Sequence, residues 1–180
     1  MTCKGVAIVT GGSRGIGRAT ALKLGQAGYT VVVNYVSKPA AADAVVDQIR
    51  KAGGMAAAVA GDVAREADVL ALFAAADRLG PLTVLINNAG VMDAQARLDE
   101  MSLDRLTRLF NINILGSFLC AREAVKRMST AHGGKGGVIV NQSSAAAVLG
   151  APALGVEYAA SKGAIDVLTI GLGREVAAEG

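Results

Sequence analysis

Tyr158 and Lys162 stand four residues apart in Tyr158-Ala159-Ala160-Ser161-Lys162. The surroundings are Ala-rich, and on a helix this spacing sends both side chains from one face. A phenol and an ammonium then become neighbours. A free phenol has a pKa near ~10 and is a poor base at neutral pH unless its anion is stabilised, which an adjacent cation does. Ser144 follows Ser143 at the end of an apolar run, and its hydroxyl suits a hydrogen bond to a substrate oxygen as charge develops there. The chemistry these three side chains suggest is proton exchange with an alcohol or carbonyl oxygen. Tyr-x-x-x-Lys by itself also fits a half-buried helix residue beside a solvated charge, so the elements that would position the group carry the argument.

Those elements alternate. Residues 4–10 form a short apolar run that stops at glycines, the pattern of a buried strand. A helical pattern runs from Gly15 to the glycines at 25 and 28. A second strand (29–35), a helix (40–52), a third strand (55–60), a helix (65–79) stopped by Gly80-Pro81, and a fourth strand (82–87) follow. One long helix is expected over 102–128, then a flexible glycine turn (133–137), a fifth strand (138–142) and a last helix carrying Tyr158 and Lys162 to about residue 178. Strands alternating with helices of this length predict right-handed βαβ crossovers and an α/β fold: a doubly wound parallel sheet, Rossmann-like, in three α/β/α layers with five strands. There is no repeat, low-complexity tract or linker composition, so residues 1–180 read as one dinucleotide-binding and catalytic domain.

Between the first strand and first helix lies Thr10-Gly11-Gly12-Ser13-Arg14-Gly15-Ile16-Gly17. Gly11 suits a tight turn, Gly15 lets backbone approach a pyrophosphate, and Gly17 lets helix pack closely on strand. The helix N-terminus then offers N–H groups and partial positive charge to phosphates. At the end of the second strand, Val33-Asn34-Tyr35-Val36-Ser37 contains no acid to accept from an adenosine ribose 2′-OH. A 2′-phosphate meets no repulsion there, and Arg14 and Lys38 can neutralise it. NADP is therefore expected, with NAD as the alternative.

These pieces, with Asp62-Val63, Asn87-Asn88-Ala89-Gly90 and Asn113, resemble the short-chain dehydrogenase/reductase family of the classical type. They occur in the family's order over nearly the whole chain. The wording is most similar to the 3-oxoacyl-carrier-protein reductase and glucose 1-dehydrogenase-like branches. The resemblance implies that Tyr158 exchanges the proton, that Lys162 binds the nicotinamide ribose and eases tyrosine ionisation, and that Ser144 polarises the substrate oxygen. It also implies that Asn113, three residues before Gly116, holds a water in a relay to the lysine. The whole turn from Thr10, through Gly11, Ser13, Arg14, Gly15 and Ile16 to Gly17, is placed at the cofactor. So are Asn34, Asp62 and Val63, the last two at the adenine, and Asn88, Ala89 and Gly90 beside the adenosine ribose. Asp62 has a second reading as a helix N-cap, and Ser143 is the rival of Ser144. The Ser144–Tyr158 interval is one residue longer than is common in the family, which implies a longer loop.

Family members continue past the active-site helix, through a sixth strand and a substrate-covering segment, whereas this chain stops at Gly180. The expectation is a C-terminally incomplete domain whose fifth strand is a sheet edge. The resulting function is an NAD(P)-dependent oxidoreductase acting on a small carbonyl or secondary alcohol, a homodimer or homotetramer when complete. The alternative is a nucleotide-binding, non-catalytic protein of the same fold.

Composition sets bounds. Hydrophobic residues are 52% and aromatic residues 3% of the 180, so the core must be built from Ala, Val, Leu and Ile. A net charge of +3, from 18 basic and 15 acidic residues without runs, gives no footprint for nucleic acid. No apolar stretch reaches the ~20 residues of a membrane span and no leader pattern opens the chain, so a cytoplasmic location is expected. Cys3, Cys120 and the single His132 fit no metal-ligand spacing, and both thiols read as reduced and core-filling.

Overall fold

The computed structural model describes residues 4–153 and 155–180; Cys3 lies outside them. Five parallel strands, β1 (Val6–Val9), β2 (Thr30–Tyr35), β3 (Met55–Ala60), β4 (Leu82–Asn87) and β5 (Val138–Asn141), form one sheet in the order β3-β2-β1-β4-β5. Around it run α1 (Gly15–Gln26), α2 (Pro39–Lys51), α3 (Glu66–Asp77), α4 (Leu103–Phe110), α5 (Gly116–Met128), the short α6 (Ala146–Leu149) and α7 (Val156–Glu175). This is the doubly wound sheet expected from the strand–helix alternation.

The three central strands β1, β2 and β4 are buried on both faces, as crossover helices require. Alternate residues serve opposite cores. Ala7, Val9, Val31, Val33, Val84 and Ile86 meet Ala21 of α1 and Ala42, Val45, Val46 and Ile49 of α2. Val6, Ile8, Val32 and Leu85 meet Val69, Leu72, Phe73 and Ala76 of α3 and Cys120, Ala124 and Met128 of α5. Burial, with Glu123 alongside, pushes the Cys120 thiol up to about 12, so it is an inert space-filler.

Two elements depart from expectation. The helix expected over 102–128 is divided by a π-helical turn, Asn111–Leu115, between α4 and α5; Ser102 caps α4 by accepting from the Arg105 N–H at 3.2 Å. The second departure is α6, four residues with Val148 and Leu149 largely exposed, which sequence alone does not signal.

β5 is an edge strand. Val138 and Val140 continue the face of Val84 and Ile86, yet they are 56% and 46% exposed. Among the described residues no helix covers that flank. None of the described helices is long and apolar enough to cross a membrane.

Candidate active site

The order β3-β2-β1-β4-β5 reverses direction between β1 and β4, and ligands of open α/β sheets bind outside the strand carboxyl ends at such a point. The loops leaving β1 and β4 meet there. Thr10 Oγ1 donates to Ile86 O and accepts from the N–H groups of Asn88 and Ala89, both at 3.0 Å. Asn88 Nδ2 donates to Thr10 O at 2.9 Å and Gly11 O at 3.2 Å. Thr10 and Asn88, both expected at the cofactor, thus spend these polar atoms on joining the two loops.

Asn34 acts likewise. It is buried, accepts from Gly11 N through Oδ1, and donates to Gly61 O at 2.9 Å. Its side chain braces the glycine turn against the loop that follows β3.

The outer side of the turn is open. Gly11 and Gly15 have φ of +61° and +53°, and a Cβ on Gly15 would meet nothing within 4 Å. Arg14, Gly15 and Ile16 are exposed and Ser13 is half-buried, while Arg14 does not cap the first turn of α1 with its side chain. That leaves uncapped N–H groups beside a surface that admits close approach, the donor set a pyrophosphate requires. A Cβ on Gly17 would lie 2.5 Å from both Gly11 O and Asn88 Nδ2. The tight contact expected at Gly17 is therefore with the turn itself and Asn88, more than with the strand.

Beyond β3, Asp62 Oδ1 accepts from Ala64 N at 3.0 Å. This is an Asx turn, not the cap of α3, whose N-cap is Arg65. Val63 is buried against Gly116, where a Cβ would come within 2.6 Å of its Cγ2. The glycine three residues after Asn113 is thus needed by packing.

Asn113, Lys162 and Gly90 converge. A Cβ on Gly90 would lie 3.3 Å from Asn113 Oδ1 and 3.8 Å from Lys162 Nζ. The Asn113 amide is already engaged: it accepts from Val91 N at 2.8 Å and donates to Val91 O at 2.9 Å and Ser161 Oγ at 3.1 Å. Its side chain holds the β4 loop to α7. Sequence reasoning passes over Ser161, a buried mid-helix Ser that donates to Tyr158 O at 2.7 Å. Such a Ser bonds back within its own helix, so local pattern carries no sign of its partner on another element.

Lys162 Nζ donates to Gln142 O at 2.6 Å and sits 5.8 Å from the centroid of the Tyr158 ring. Burial pushes its ammonium below the ordinary 10.5, partly offset by the Asp166 carboxylate. Between the lowered value and 10.5 the unfolded chain holds a proton that the fold does not, so this lysine's contribution to stability rises with pH through that window. In urea unfolding, the stability of wild type minus that of Lys162→Met is expected to be more positive at pH 10 than at pH 7; a flat difference contradicts the burial argument.

Ser144 Oγ accepts from Ala146 N at 3.2 Å, which leaves its proton free to donate. Ser143 Oγ instead donates to Lys162 O at 3.4 Å. Of the two serines, Ser144 keeps a donor to offer.

The glycine turn on one side of the switch point and the Tyr–Lys helix on the other belong to a doubly wound, Rossmann-like α/β protein. The chain belongs to the short-chain dehydrogenase family, whose model, short chain dehydrogenase, matches residues 5–180. It is 53% identical over 97% of its length to 71% of "Uncharacterized oxidoreductase YgfF" of Escherichia coli K12. It is 39% identical over 97% of its length to 69% of a 3-oxoacyl-[acyl-carrier-protein] reductase of Synechocystis. A crystal structure of a dehydrogenase/reductase from Sinorhizobium meliloti 1021 superposes with TM-score 0.92 at 32% identity, covering 99% of this chain and 69% of that one. The chain spans 62–71% of the length of the curated relatives it matches.

Proposed function

We propose that this is the site of an NADP-dependent oxidoreductase that interconverts a secondary alcohol and a carbonyl compound. The observation that carries the reading is the convergence of Lys162, Asn113 and Gly90 beside the joined loops of β1 and β4. A nicotinamide dinucleotide supplies the hydride when bound. The chain's own residues do the rest. The uncapped first turn of α1 receives the pyrophosphate, with Gly15 giving it room. Ser13, Ile16, Asp62, Val63, Ala89 and Gly90 border the nucleotide. Tyr158 gives or takes the proton on the substrate oxygen, Ser144 donates to that oxygen, and Lys162 binds the nicotinamide ribose and eases ionisation of the phenol.

NADP is favoured over NAD because no carboxylate ends β2, while Arg14 and Lys38 are both exposed beside that strand end. Arg14→Ala is expected to weaken NADPH binding about 10-fold while changing NADH binding less than about 2-fold, as loss of one charge-assisted contact implies. Fluorescence titration of both nucleotides checks this. Equal losses for the two would remove the 2′-phosphate assignment.

The 3-oxoacyl-carrier-protein reductase relative supports a small carbonyl substrate. Exposed Leu115, Phe118, Val167 and Ile170 on the α5 and α7 side support assembly with a second copy.

A further inference from the structure

The Tyr158–Lys162 stripe of α7 has a neighbouring stripe at the same spacing, Glu157 and Ser161, turned by about 100° around the helix. Both of its members are buried, one tied to α4 and the other to the π-helical turn that follows α4. Arg105 of α4 places Nη2 at 2.5 Å and Nε at 3.1 Å from Glu157 Oε1, with Glu157 essentially inaccessible. Ser161 Oγ receives Asn113 Nδ2 from the π-helical turn and donates to Tyr158 O.

We propose that the Arg105–Glu157 ion pair and the Asn113–Ser161–Tyr158 chain act as two bolts that set the rotation of α7 about its axis, making Arg105, Glu157 and Ser161 positioning residues for Tyr158 and Lys162. Two fixed points four residues apart define a rotation that either alone leaves loose. The first bolt sits one residue before Tyr158 and the second one residue before Lys162, so each working side chain has its own anchor. Glu157 Oε2 is buried with no partner among the described residues. A buried carboxylate left half-satisfied is a poor device for stability alone, where an apolar pair does better, but it does fix direction.

The inference rests on the hydride-transfer reading for its consequence in rate, and its test separates the two. In Ser161→Ala and in Arg105→Met/Glu157→Gln, which removes the charge pair without stranding a buried charge, kcat for carbonyl reduction is expected to fall at least 10-fold. NADPH Kd and carbonyl KM stay within about threefold, and Arg105→Lys alone retains most of the rate. With 3-fluorotyrosine incorporated, the ¹⁹F resonance assigned to residue 158 by loss in Tyr158→Phe moves in both variants, while those of Tyr29 and Tyr35 hold. An unmoved resonance at 158 in the folded variants overturns the proposal, whether or not turnover is seen. Absence of NADPH binding and turnover in wild type defeats the hydride-transfer reading instead, and leaves the fluorine result to decide this one. Collapse of all three resonances to one random-coil shift in Ser161→Ala signals unfolding, and the charge-pair double variant then decides.

Discussion

Tyr158→Phe is expected to lower carbonyl reduction about 10³-fold while leaving the NADPH dissociation constant within about threefold. The substitution removes one hydroxyl and keeps the half-buried ring that packs 5.8 Å from Lys162 Nζ. General acid–base catalysis by a positioned group contributes about 10²–10⁴ in rate, and a hydroxyl that acts only on the substrate oxygen has little to offer the nucleotide. The loss should therefore fall on kcat, with KM nearly unchanged. A variant that keeps its rate would move the proton to another group, with Ser144 the first candidate because its hydroxyl is the one at the end of β5 with a proton to spare. A variant that loses NADPH binding as well would mean that the phenol holds the nucleotide.

Gly17→Ala should be the most damaging single methyl. The new Cβ would stand 2.5 Å from Gly11 O and from Asn88 Nδ2, and the first of these is backbone in the turn proposed to receive the phosphates. Asn88 cannot swing away freely, because its amide donates to Thr10 O and Gly11 O. Relief must come from moving the turn, at a cost of about 1–3 kcal/mol in stability. NADPH affinity is expected to drop about 100-fold, read by fluorescence titration. Gly171→Ala is the control. Nothing lies within 4 Å of its added Cβ, and in the middle of α7 the change should stabilise by about 0.5–1 kcal/mol with binding untouched. Similar binding losses in both would show that the turn's geometry is not what the nucleotide reads.

How far the sequence reaches is seen in where it fails. Strands such as Thr30–Tyr35 and Leu82–Asn87 lie where their apolar runs place them, because a buried parallel strand has no other way to satisfy both faces. The division of the 102–128 helix is invisible in that pattern. A π turn of 5 residues is too short to leave a period of its own in the apolar pattern, and in the fold the turn's Asn113 is held by Val91, 22 residues earlier. The hydrogen-bond partners of Thr10 and Asn34 are hidden for a related reason. Both are polar residues at the ends of buried strands beside a glycine turn, which is where ligand-binding side chains belong, yet their hydrogen bonds go to neighbouring loops. Only the tertiary structure distinguishes a strut from a ligand. The pairing of Arg105 with Glu157, 52 residues apart, is likewise a contact that no local spacing encodes.

The central claim is that the cleft between the glycine turn and Tyr158 moves a hydride from a nicotinamide to a carbonyl carbon. It is tested most directly by incubating the protein with NADPH carrying deuterium at the transferable C4 position and a panel of small ketones and aldehydes, then measuring the alcohol products by mass spectrometry. One deuterium on the carbinol carbon, lost together with product in Tyr158→Phe, is the predicted result. Alcohol formed without label, or NADPH bound tightly while no carbonyl in the panel is reduced, would contradict it.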